Sequence, residues 1–101
     1  MPYAPLLEDG EIVAGLAHLP AWRREDRAIV RDVRFPTFPE AIAFVDRVAL
    51  AAEAADHHPD IDIRWRRVRL VLTTHASGGL TARDMDMAER IDGIADEATI
   101  A

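Results

Sequence analysis

The stretch "EAADHHPDIDIRW", residues 53–65, sets two histidines side by side, His57 and His58, ahead of Pro59. Glu53, Asp56 and Asp60 lie within a few residues of them, and a third histidine, His75, follows in "TTHASGGL". Imidazole titrates near neutrality, so such a group can move protons in both directions. A carboxylate four residues before a histidine, as Glu53 stands to His57 on a final helical turn, favours the charged ring and helps to fix it. Acid–base chemistry is the first reading of this pattern. A metal site is the rival, since three histidines and several carboxylates could ligate zinc or iron. Adjacent histidines project apart, however, and no HxH or HxxxH spacing joins them.

What is missing narrows the chemistry further. The 101 residues contain no cysteine, so there is no disulfide framework and no thiolate. They contain no lysine to form a Schiff base. Ser77 and Tyr3 are the single serine and tyrosine. No P-loop, dinucleotide glycine fingerprint or HExxH is present. Histidine and carboxylate, helped by hydroxyls and backbone, must carry whatever reaction occurs.

These side chains need elements to hold them. "DGEIVAGLAH" places Ile12, Val13 and Leu16 on one face of a short helix ending before Pro20, with His18 in its last turn as a surface residue. "AWRREDRAIVRDVRF" reads as a hairpin turning at "EDR", with Trp22 in the core and Ile29, Val33 and Phe35 on one strand face, broken only by Arg31. Thr37 and Glu40 stand at capping-box spacing, with Pro39 in the first turn. The helix they open buries Ala41, Ile42, Val45, Val48, Ala49 and Ala52. It ends at the histidines, because Pro59 moves His58 out of helical geometry. Ile61, Ile63 and Trp65 share odd parity, whereas Val68, Leu70 and Leu72 share even parity. That switch near Arg66 and Arg67 demands a bulge or tight turn. A last helix starts near Thr81, with Asp84 as its capping partner and Ala88, Ile91, Ala95 and Ala98 inward. The expected fold is α+β: an antiparallel four-stranded sheet with helices packed on one face, in the order α-β-β-α-β-β-α.

The length suits one domain over residues 1–101, with no repeat or linker. Eighteen acidic against twelve basic residues give a charge of −6, so nucleic-acid binding would need a segregated basic patch. The candidate is "RWRRVR", Arg64 to Arg69, which reads as a solvated strand face. No apolar run is long enough for a membrane span and the N-terminus has no leader pattern, so a cytoplasmic location is the default expectation.

Together, "AEAADHHPDI", the following "RW" and "VRLVLTTHASGGLTARDMDMAERID" resemble the pterin-4a-carbinolamine dehydratase family over roughly residues 10–95. The family's signature has an acidic residue, then His-His-Pro, an aromatic, a further histidine and an aspartate. Here these are Glu53, His57, His58, Pro59, Trp65, His75 and Asp84. Ile61 stands where the family often has Trp, Trp65 where it often has Tyr, and Ala76 where an acidic residue is common. The resemblance implies a hydro-lyase that dehydrates 4a-hydroxytetrahydropterin to quinonoid dihydropterin and water, in tetrahydrobiopterin recycling beside an aromatic amino acid hydroxylase. It implies no cofactor and no metal. It implies His57, His58 and His75 as catalytic groups, with Glu53 and Asp84 orienting or charge-tuning them. Asp56, His57, His58, Thr73, Thr74, His75 and Ala76 would line the pterin, partly through backbone groups. It further implies a homodimer or homotetramer, with no nucleic acid or membrane partner. A binding or dimerisation-cofactor module on the same fold is the non-enzymatic alternative, and a dehydratase relative acting on another substrate is a third.

Overall fold

The computed structural model describes residues 4–98. Helix α1 (Asp9–Ala17) leads into strands β1 (Arg23–Glu25) and β2 (Ala28–Arg34), then helix α2 (Phe38–Ala55). Strands β3 (Asp60–Arg64) and β4 (Arg67–Leu72) follow, then a 3-10 turn (His75–Ser77) and helix α3 (Ala82–Glu97). The order is the α-β-β-α-β-β-α expected from the sequence. The four strands form one antiparallel sheet in the order β1-β2-β4-β3. The edge strand β1, Arg23–Glu25, is exposed throughout, in contrast with β4 in the centre, where Val68, Leu70 and Leu72 are all buried.

Register explains which face meets the helices. Val33 opposes Val68 and Ile29 opposes Leu72, putting these four into a core shared with Phe44, Val48, Met87, Ala88, Ile91 and Ala95. Phe35 and Phe44 rings tilt together at 5.0 Å between centroids. Arg31 breaks the apolar parity because its guanidinium reaches Asp92, which also accepts the Trp22 Nε1 hydrogen at 2.8 Å. The opposite face is charged: Asp32 pairs with Arg69, its cross-strand partner, and with Arg23. Arg69 hydrogen bonding chiefly holds the Asp32 carboxyl below its ordinary value, against the opposing effect of burial.

Three expectations need correction. Val13 is 69% exposed, because α1 meets the core along the narrow edge of Ile12 and Leu16, and the next residue points to solvent. Ala49 is likewise exposed, while Phe44 takes the large buried place on α2. Trp65 is in the two-residue turn between β3 and β4, with φ 56° and 70% exposure, rather than on the strand face it shares by parity with Ile61 and Ile63. That turn supplies the parity switch. Tyr3 falls outside the described residues.

Candidate active site

Two capped helices and one strand end bring the histidines together. α2 is capped by Thr37, whose hydroxyl accepts the Glu40 N–H. At its other end Asp56 adopts the left-handed conformation, φ 49° and ψ 43°. The chain turns off the helix axis there, and the His57 N–H still bonds back to the Ala52 carbonyl. His57 consequently turns inward, 3% exposed, while the His58 side chain stays about half exposed. β4 delivers Thr73 and Thr74, and the 3-10 turn that follows places His75 at the surface. Gly78 closes that turn at φ 78°, a conformation open to glycine without steric cost.

A cavity of about 290 Å³ is lined by His57, His58, Thr73, His75 and Ala76. All three histidines singled out above therefore share one cavity. Beneath it lies a sealed polar cluster. His57 Nε2 is 2.6 Å from Asp84 Oδ1, and both side chains are buried. Asp84 Oδ2 accepts from the Thr74 hydroxyl at 2.8 Å and from the Thr81 N–H at 2.9 Å. Thr81 and Thr74 hydroxyls are 2.7 Å apart, and Thr81 also accepts the Arg83 N–H. The hydrogens run one way through this chain. Thr74 gives its single hydroxyl hydrogen to Asp84, so Thr81 must donate to Thr74. A carboxylate has only acceptors, so His57 Nε2 carries the hydrogen shared with Oδ1. The arrangement fixes the tautomer and the ring plane of His57.

Asp84 thus does two jobs, capping α3 through its box with Thr81 and gripping His57. Glu53 bonds His58 Nε2 at 2.6 Å instead of His57, the residue four positions on. Thr74 is fully buried and faces Asp84, so its side chain does not line the cavity, nor does Asp56. Thr81, which the sequence marked only as a cap, belongs to the cluster. Its second hydrogen bond joins residues seven apart in the sequence and separated by a loop, and no spacing rule announces it. Among the described residues no group of three or more histidines and carboxylates is arranged to hold a metal ion. A larger groove of about 730 Å³ between α1 and α3 holds only the remaining histidine, His18, among several carboxylates.

The fold and the cavity define a small α+β protein with a histidine-lined pocket backed by carboxylates. The family model described as pterin 4 alpha carbinolamine dehydratase matches residues 5–94, and the chain belongs to that family. A provisionally named pterin-4-alpha-carbinolamine dehydratase of Nocardia farcinica is 57% identical over 90 residues, covering 89% of this chain and 95% of the relative. Another with that designation, from Roseiflexus castenholzii, is 55% identical over 91 residues, covering 90% and 98%. The crystal structure of a transcriptional coactivator/pterin dehydratase from Brucella melitensis superposes with TM-score 0.85 at 36% identity, covering 88% of this chain and 97% of that one. A pterin dehydratase-like RuBisCO assembly factor of the alpha-carboxysome shares the fold at TM-score 0.65 and 23% identity, over 74% and 89% of the two chains.

Proposed function

We propose that this protein dehydrates 4a-hydroxytetrahydropterin to quinonoid dihydropterin and water, as a hydro-lyase working by histidine acid–base catalysis. The observation that carries the reading is the convergence of His57, His58 and His75 on one cavity, two of them bonded to carboxylates. The reaction protonates the 4a-hydroxyl, removes the N5 hydrogen, forms the C4a–N5 double bond and releases water. One proton enters and one leaves, with no change in oxidation level, so paired imidazoles match what the step needs. His58 and His75, both exposed, exchange protons with substrate and solvent. His57, held by Asp84, gives the pterin a fixed wall and keeps its hydrogen at a fixed atom. Glu53 orients His58. Thr73, Ala76 and the backbone around Thr74 contact the ring, and Asp56 acts through the left-handed turn that presents both histidines.

The wider reading is a domain spanning residues 1–101, working in the cytoplasm as a homodimer or homotetramer in tetrahydrobiopterin recycling, beside an aromatic amino acid hydroxylase. A non-enzymatic role as a binding module is the second reading, since relatives of this fold include a coactivator and an assembly factor. Both are tested by following loss of the 4a-carbinolamine with and without the protein. Acceleration over the spontaneous reaction that disappears in His58→Ala and His75→Ala supports the dehydratase. No acceleration by folded wild-type protein favours the module.

A further inference from the structure

His57 lines a second cavity besides the one it shares with His58 and His75. This one, about 400 Å³, is bounded by Ala55, His57, Arg83, Asp86, Met87 and Arg90. We propose that it is an oxyanion subsite, taking a phosphate or carboxylate carried on the side chain of the pterin; the assignment of the occupant to a substrate tail rests on the dehydratase reading.

Charge carries the argument. The chain as a whole is at −6, yet the ionic groups around this cavity are two guanidinium groups and one carboxylate. Arg83 and Arg90 lie seven residues apart on α3, two turns along one face, so their Cα atoms are about 10 Å apart and their forks can close on one anion. Asp86 lies between them at the spacings that ordinarily neutralise arginine on a helix. No ion pair joins it to either one within 4.0 Å among the described residues, however, and neither arginine has another acidic partner there. Planar guanidinium groups suit the bidentate geometry of phosphate and carboxylate oxygens. Met87 and Ala55 supply an apolar wall that lowers the local dielectric and strengthens the contact. The two cavities meet at His57, which Asp84 holds in place. An anion here lies against the ring whose other surroundings form the candidate active site. This separates a reacting end, where protons move, from a gripping end, where charge is recognised.

The test begins with inorganic phosphate, titrated into the whole protein at constant ionic strength while the arginine Nε–H resonances are followed by NMR. Shifts at Arg83 and Arg90 that are lost in Arg90→Gln support the subsite. Arg90 is exposed, so this variant is not compromised by misfolding. Absence of shifts, or shifts that survive Arg90→Gln, overturns it. A second arm compares 4a-carbinolamines with neutral and phosphorylated side chains. The expected KM is about tenfold lower for the phosphorylated one, roughly one guanidinium contact, and the ratio falls towards one in Arg90→Gln. Phosphate binding without any such preference in the wild type overturns the substrate-tail assignment and leaves a site for free anions. If neither pterin is dehydrated, the function reading fails while the phosphate titration still decides the subsite.

Discussion

His57 Nε2 and Asp84 Oδ1 are 2.6 Å apart, the carboxylate fully buried and the histidine 3% exposed at the cavity wall. Each is the other's charged or polar complement, and each is joined to a different part of the chain: the turn after α2 and the first turn of α3. Removing the carboxylate should therefore disturb both chemistry and fold. Asp84→Asn is expected to lower the dehydration rate about 100-fold and the unfolding free energy by about 3 kcal/mol. Initial rates and urea midpoints on the same preparation check both.

Thr74 hands one hydrogen to Asp84 and receives one from Thr81. Thr74→Val keeps the shape but leaves the Thr81 hydroxyl without its acceptor, costing about 1–2 kcal/mol of stability. Thr74→Ser restores the oxygen and should recover most of the rate lost in the valine variant. A serine variant no better than valine would mean that the methyl packing, and not the hydroxyl chain, holds His57.

Glu53 and His58 form an exposed pair, so their bond adds little to folding. Glu53→Gln should keep the unfolding midpoint within about 0.5 kcal/mol of wild type while slowing dehydration several-fold. A rate equal to wild type would remove Glu53 from the list of positioning residues.

On the far side of the sheet, Arg69 keeps the Asp32 carboxyl below its ordinary value of 3.8, with burial opposing and Arg23 assisting. The folded state then binds fewer protons than the unfolded chain as the pH approaches that range. The stability this gives is complete above the unfolded value and is lost as pH falls through the lower folded one. The difference in unfolding free energy between wild type and Asp32→Asn should stay constant at neutral pH and shrink below about pH 4. Urea titrations at a series of pH values read this directly.

Much of this architecture is legible in the residues themselves. Thr81 and Asp84 mark the start of α3, Thr37 marks α2, and the proline after the two histidines marks its end. The parity switch between Ile63 and Val68 demanded the turn that the chain makes. Finer matters depended on backbone angles that no pattern reports. Asp56 leaves the helix in a left-handed conformation, so the spacing rule that tied Glu53 to His57 fails, and Glu53 meets His58 instead. Trp65 shares the parity of Ile61 and Ile63, but a two-residue hairpin must place something at its tip. Thr74 stands beside His75 in the sequence, but the chain leaves β4 for a 3-10 turn there, so Thr74 faces the buried carboxylate and His75 the surface.

The tryptophans differ as sharply as two indoles in one small chain can. Trp22 is enclosed and bonded to Asp92, whereas Trp65 stands in water with the Arg66 guanidinium 4.6 Å from its ring. The molecule is in consequence its own two-colour fluorophore. Trp22 is expected to emit to the blue and Trp65 to the red, and iodide, drawn to the arginines around the hairpin, should quench the red component first. Unfolding merges the two bands, so one emission spectrum separates an event at the hairpin tip from loss of the core without any added label.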